Sequence, residues 1–286
     1  MAIFYNQATL SFGGISTGSN ITTGEIVSGI TLTKLAASDS YAFDDGITYI
    51  VTIENATTTP YNNLTLVDNL GVFVPSIMDT GVVPLTYIEG SLKYYQNGAE
   101  AMGATASATA AMLTITNITV PAGGNATLIY EARVNEFAAR GVGNKITNTV
   151  TLLDTNLPEN ITATATVPVR ESAALTIAKA ICPPVIGNDG RVTYTFIIQN
   201  TGNIAASGDD LIVTDTFIPI LNDISVTLNG EVLEAGAGYT YDEDTGDFAT
   251  VGGVITVPAA NFARNPDTGI VSLTPGVAVI TVTGTI

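Results

Sequence analysis

The chain has 286 residues, room for two or three domains, and 9 Lys+Arg against 26 Asp+Glu leave a formal net charge of −17, which argues against nucleic acid and anionic membrane surfaces as partners. It contains no His and one Cys, Cys182, so histidine-based triads, histidine zinc sites, internal disulfides and cysteine-clustered metal centres are excluded, and neither an enzyme nor a cofactor is expected. A 46% hydrophobic and 12% charged composition gives the chain ample surface to bury, while no run of about 18 apolar residues is present to insert in a membrane.

The first twelve residues, MAIFYNQATLSF, lack a basic segment followed by a continuous apolar one, so no signal peptide is recognisable. Under strand alternation Phe4, Asn6, Ala8, Leu10 and Phe12 point to one side. Residues 13–28 (GGISTGSNITTGEIVS) are rich in Gly, Ser and Thr and read as a flexible tether. At ~3.3 Å per residue such a tether reaches roughly 50 Å.

From residue 29 onward, period-2 alternation recurs between clusters of Asn, Gly, Pro and Asp, as in Tyr49-Ile-Val-Thr-Ile-Glu and Val192-Thr-Tyr-Thr-Phe-Ile. Short strands with turn signals at this spacing predict an all-β sandwich. Glu136–Arg140 could form one helical turn, and the Ala104–Ala111 run reads as a loop or weak strand.

The pattern occurs twice. The first copy runs Ile30-Thr-Leu-Thr-Lys34, Thr48-Tyr-Ile-Val-Thr-Ile-Glu-Asn55, Leu64-Thr-Leu-Val-Asp68. The second runs Leu175-Thr-Ile-Ala-Lys179, Thr193-Tyr-Thr-Phe-Ile-Ile-Gln-Asn200, Leu211-Ile-Val-Thr-Asp215. Lys and Asp are 34 residues apart in one copy and 36 in the other. Domain 1 is placed at 29–168 and domain 2 at 172–286, joined by the short, stiff stretch Val167-Pro-Val-Arg-Glu-Ser172. These motifs resemble the conserved repeat called domain of unknown function eleven. The resemblance implies an immunoglobulin-like sandwich of bacterial or archaeal surface proteins, with a structural role and no specific ligand. Asn55-Ala-Thr departs from the family's usual Asn-Thr-Gly.

The copies differ at their ends. The first continues past Val134 into Lys145-Ile-Thr-Asn-Thr-Val-Thr-Leu-Leu153, whereas Val134 aligns with Ile286, so domain 2 lacks its closing strand. An open sandwich exposes an apolar groove and unpaired edges. Phe4-Tyr-Asn6-Gln-Ala8-Thr-Leu10 aligns with Ile146-Thr-Asn148-Thr-Val150-Thr-Leu152. Residues 1–12 are therefore read as a donor strand that completes domain 2 of another copy, anchored by Phe4, Ala8, Leu10 and Phe12, in a head-to-tail homopolymer. The competing readings are a strand that pairs within its own chain and a disordered tail.

Two of the four lysines, Lys34 and Lys179, fall at matched positions on apolar strand faces, as do Asp68 and Asp215, and Asn148 and Asn6. Lone buried charges are costly. This trio resembles the self-crosslinking immunoglobulin-like domains of Gram-positive pili. That resemblance implies isopeptide bonds Lys34–Asn148, assisted by Asp68, and Lys179–Asn6 of the next copy, assisted by Asp215. A buried Lys–Asp ion pair with Asn hydrogen-bonded alongside satisfies the same groups.

The acidic run Asp242-Glu-Asp-Thr-Gly-Asp247 offers Asp242, Asp244 and Asp247 as weak calcium ligands. It lacks EF-hand spacing and fits a hairpin turn. Asn-x-Thr triplets are common by chance in this composition, and Cys182 reads as a buried lone thiol. The expected function is a structural subunit of an extracellular, cell-surface or spore-appendage filament. The alternative is a spacer or adhesin module of a larger surface protein.

Overall fold

The computed structural model describes residues 2–26, 29–153, 159–185, 187 and 190–286, without side chains at 2–4 and 24–26. It is all-β and divides into two compact units: Met1–Ala138 with Ile146–Val167, and Ala139–Lys145 with Pro168–Ile286.

The first unit is a sandwich of two sheets. One runs Ala99–Glu100, Lys93–Gln96, Asn125–Val134, Gly46–Asn55, Ile30–Ala36, with Leu85–Tyr87 also on Asn125–Val134. The other runs Thr105–Ala108, Leu113–Val120, Tyr61–Asp68, Lys145–Leu153, Ile161–Pro168. Alternation sets the core: Ile47, Tyr49, Val51 and Ile53 are buried from one strand, and Ile146, Val150 and Leu152 from another. Each such side chain contributes roughly 1.5–3 kcal/mol on burial. Leu113–Val120 breaks strict alternation. Its register against Tyr61–Asp68 shifts between Ile115 and Ile118, where Asn117 takes a left-handed φ of 58°. Asn tolerates that conformation, and the bulge turns Ile118 and Val120 back toward the core.

In the second unit the first sheet runs Leu175–Cys182, Arg191–Asn200, Gly276–Thr285, Asn222–Leu228, Glu231–Leu233. Its other layer is in pieces: Ala206–Ser207 with Thr256–Val257, Thr214–Thr216 with Asp247–Thr250 and Tyr239–Tyr241, and Asn261–Arg264 with Val271–Thr274. Phe196, Phe217, Phe248 and Ile280 lie in its core.

The two repeats share a corner. Asn55 Nδ2 donates to the carbonyls of Thr59 (2.8 Å) and Pro121 (3.0 Å), and its Oδ1 accepts from Thr57 N–H (2.9 Å). Asn200 does the same with Ile204 (2.8 Å), Pro258 (3.0 Å) and Gly202 N–H (2.9 Å). One buried carboxamide thus satisfies three backbone groups that the turn would otherwise strand.

They differ at one edge. Tyr61–Asp68 has neighbours on both sides, Leu113–Val120 and Lys145–Leu153. The equivalent Thr214–Thr216 pairs on one side only, with Asp247–Thr250, and among the described residues no strand lies on the other. The strand facing that gap shows the consequence. Ile30 and Leu32 are 1% and 8% exposed, while their equivalents Leu175 and Ile177 are 40% and 57% exposed.

Of the segment 13–28 expected as a flexible tether, Ile15–Gly18 and Thr22–Ile26 are strands, and residues 27–28 lie outside the described residues. Ala2–Asn6 pairs antiparallel with Thr22–Ile26, and Thr9–Phe12 with Ile15–Gly18. Gly13 and Gly14 make the turn at φ 60° and 84°, a conformation open to Gly without a Cβ penalty. The correction has a physical reason: Ile15, Thr17, Thr22 and Thr23 carry strand-forming side chains, which a Gly/Ser count overlooks. Cys182 is also corrected. Its thiol is exposed, because it ends the uncovered strand Leu175–Cys182.

Candidate functional site

Ile30–Ala36, Tyr61–Asp68 and Lys145–Leu153 each direct one polar side chain into the first core, because Lys34, Asp68 and Asn148 occupy the inward phase of their strands. Lys34 Nζ donates to Asp68 Oδ2 at 2.8 Å, with both side chains 0% exposed. The same oxygen accepts the Tyr130 hydroxyl and, at 3.3 Å, Asn148 Nδ2. Asp68 Oδ1 takes the Leu70 N–H at 2.7 Å. Lys34 Nζ lies 4.6 Å from the centroid of the Tyr49 ring, a position that favours a cation.

Burial lowers the Lys34 amine to about 8, against the smaller opposing pull of the Asp68 charge and hydrogen bond. Burial also pushes the Tyr130 phenol well above its ordinary value, reinforced by the Asp68 charge, so Tyr130 stays protonated and keeps donating. Tyr49 is raised mainly by burial. The Tyr49 hydroxyl and Asn148 Oδ1 are both buried without a hydrogen bond of ordinary geometry, although the Asn148 side chain lies close enough to the Tyr49 hydroxyl to oppose its upward shift.

This arrangement supports two chemistries. As a static cluster it is a satisfied buried ion pair with a carboxamide alongside. It also contains the parts of an amide exchange. Shifting one proton from Lys34 to Asp68 gives a neutral amine and a neutral acid without exchange with solvent. Attack of the amine on the Asn148 carboxamide carbon would form the new C–N bond; Asp68 would pass its proton to the departing nitrogen, the old C–N bond would break to release ammonia, and the Asp68 carboxylate would take up the surplus proton of the attacking amine. Negative charge would develop on Asn148 Oδ1, the oxygen without a hydrogen bond of ordinary geometry in the resting arrangement.

In the second unit Lys179 also reaches Asp215, but the side chains are 39% and 20% exposed. Lys179 Nζ lies 4.5 Å from the Tyr194 ring centroid and 5.3 Å from that of Phe217. Val282, not a tyrosine, stands across from Tyr194, where Tyr130 stands across from Tyr49. No carboxamide is bonded to this pair among the described contacts. Asn6 is exposed, and its carbonyl accepts the Thr22 hydroxyl at 3.2 Å. Of the anchors, Ala8, Leu10 and Phe12 are exposed, Phe12 at 86%. The Phe4 side chain lies outside the described set, although its backbone pairs with Gly24.

The acidic loop is a hairpin turn. Asp242 Oδ1 accepts the N–H groups of Asp244 (2.8 Å) and Thr245 (3.1 Å), and Asp247 accepts the Thr216 hydroxyl (2.7 Å). Among the described residues no group of three or more His, Cys, Asp or Glu is placed to hold a metal, so Asp242, Asp244 and Asp247 do not converge as ligands.

Sequence reasoning missed Tyr49, Tyr130 and the corner role of Asn55 and Asn200. The signal was present: Tyr49 and Tyr130 share the inward phase of Val51 and Leu128 on their strands.

No family model matches the chain, the repeat family that its motifs resemble included, and no curated protein matches. Distant likenesses occur among solved structures. One is the N-terminal domain of a Streptococcus gordonii adhesin, at 16% identity and TM-score 0.36, over 56% of this chain and 37% of that one. Another is the pilus backbone protein of Streptococcus pneumoniae, at 12% and 0.36, over 86% and 55%. A third is the major pilin subunit of Bacillus cereus, at 11% and 0.36, over 96% and 73%. The chain thus spans about half or less of the first two proteins. Similarity this low leaves function to the geometry of the chain itself.

Proposed function

We propose that this chain is the structural subunit of a filament, in which the N-terminal segment of one copy completes the second sandwich of the next. The observation that carries the reading is the contrast between matched strands: Ile30 and Leu32 are covered, Leu175 and Ile177 are not. The cover that the first repeat has is Lys145–Leu153, and the segment that aligns with it is the exposed N-terminus. Taking Leu10, Phe12, Leu175 and Ile177 out of water contributes on the order of 5–8 kcal/mol before ordering costs. A donor from one copy and a groove on the next do not close on themselves, so the product is a fibre. Placement at a cell surface follows the motif resemblance, and assembly as a spore appendage follows the lack of a recognisable signal peptide.

In this reading Lys34 and Asn148 form an isopeptide bond within the chain, and Lys179 forms one with Asn6 of the next copy. Purified chain then gives filaments in negative stain and a ladder after boiling in detergent. Intact mass falls by one ammonia for each bond formed. Deleting residues 1–12 abolishes the filaments. Lys179→Ala abolishes the ladder but leaves filaments. Stable monomers with and without residues 1–12 overturn the proposal.

A further inference from the structure

The first repeat is closed by two strands, not one. Lys145–Leu153 lies against Asp68's strand, and Ile161–Pro168 lies outside it. The two run antiparallel, as the hydroxyl pairs Thr147–Thr166 (3.4 Å) and Thr149–Thr164 (3.0 Å) show. The outer strand is not decoration. Its Ala165 and Val167 are buried, and Thr164–Thr166 line the same cavity as Lys34–Ala36. It therefore faces the flank of the lysine strand across that cavity.

The second repeat lacks both strands among its described residues, and its strand Leu175–Cys182 is exposed at every position. The N-terminus has two strands to offer. Ala2–Phe12 and Ile15–Ile26 form a hairpin, and no other named strand pairs with either arm. Every described side chain from Tyr5 to Thr23 is exposed, among them Leu10, Phe12, Ile15 and Ile21. In the first repeat Val150 stands across from Asp68, and the threonine pairs set Ala165 across from Asn148. Substituting by alignment, Ala8 falls across from Asp215, and Asn6 has Thr22 as its outer neighbour. Small polar Thr22 then takes the place of small Ala165.

We infer that the donated element is the whole hairpin Ala2–Ile26 of a second copy. The Ala2–Phe12 arm docks on Thr214–Thr216, and the Ile15–Ile26 arm closes over Leu175–Cys182. This rests on the head-to-tail reading above and specifies its donor. It also removes the long tether: only three residues of sequence separate Ile26 from Ile30.

Two variants of the full chain test it. In the first, residues 15–26 are replaced by a Gly/Ser stretch of equal length. Filaments are lost if the hairpin is the donor, and filaments that persist at the parent's level establish a single-strand donor and overturn the inference. In the second, Ser11→Cys with Ser16→Cys locks the hairpin across its own paired positions, the bond being verified by peptide mapping. The locked chain assembles as well as its reduced form if the hairpin inserts intact. Assembly only after reduction shows that one strand must peel away, and overturns the inference while leaving head-to-tail assembly standing. A parent chain that stays monomeric overturns both.

Discussion

At Lys34 and Asp68 the decisive quantity is one shared proton. In the proposed cross-linking the pair would react as neutral amine beside neutral acid, a form with the same proton count as the resting ion pair. Cross-linking of Lys34 to Asn148 should therefore be independent of pH below about 8, where Lys34 holds its proton, and slow above it, where solvent removes the proton needed by the leaving nitrogen. Refolding from denaturant at pH values from about 6 to about 10, with intact mass read over time, checks this. A rate that climbs through pH 8 would contradict the shared-proton step, and no mass loss at any pH would leave a static ion pair. The same residue gives a stability signature. In Asn148→Ala the amine survives, and its folded value of about 8 lies below the ordinary 10.5. The unfolded chain then binds more protons between those values, so stability of this variant rises with pH across that window. A parent chain cross-linked at Lys34, as proposed, would have no amine to titrate there and would lack the rise. The corner asparagines act on stability alone. Asn55→Ala strands the Thr59 and Pro121 carbonyls and the Thr57 N–H. It should cost roughly 2–4 kcal/mol in a denaturant titration, with Asn200→Ala similar in the second unit.

Among the strands, the matched pair Ile30–Ala36 and Leu175–Cys182 separates folding from assembly. Leu32→Asp puts an unpaired charge in a closed core and should destabilise the first unit by several kcal/mol. Ile177→Asp, at the equivalent but exposed position, should leave monomer stability within about 0.5 kcal/mol and abolish filaments. Equal thermal losses in both variants would mean that the second groove is already filled within the chain. This contrast also shows what alternation can reveal in a sequence. The inward phase of Lys34, Asp68 and Asn148 follows from apolar neighbours two residues away, because successive strand side chains take opposite faces. What alternation cannot carry is a phase change, and Asn117 makes one with its left-handed backbone. Nor does it say whether a Gly/Ser/Thr stretch is extended and free or extended and paired. At residues 13–28 the useful signal was local: Gly13-Gly14 between Leu10-Ser-Phe12 and Ile15-Ser-Thr17 is a two-residue hairpin turn between alternating arms. Tyr130 was hidden for a different reason. A tyrosine on an inward phase reads as core bulk, and its hydroxyl acquires meaning only once Asp68 is seen across the sandwich.

For the whole molecule, net charge sets how copies meet. Each carries −17, so docking a donor on a groove brings two strongly negative bodies together, and the repulsion is long-ranged at low salt. The screening length is about 30 Å at 0.01 M salt and about 8 Å at 0.15 M. The docked contact itself is apolar and backbone-bonded, and salt does not weaken it; the Lys179–Asp215 pair beneath it is partly exposed and contributes little to net affinity. Elongation should therefore accelerate as salt rises from about 0.01 M to about 0.15 M, by on the order of tenfold or more, while filament dissociation hardly changes. Light scattering of purified chain across a salt series measures the first, and dilution of formed filaments the second. The reverse dependence, with assembly fastest at low salt, would mean that a complementary charged surface drives association, and the exposed leucine and isoleucine edge would then be a bystander.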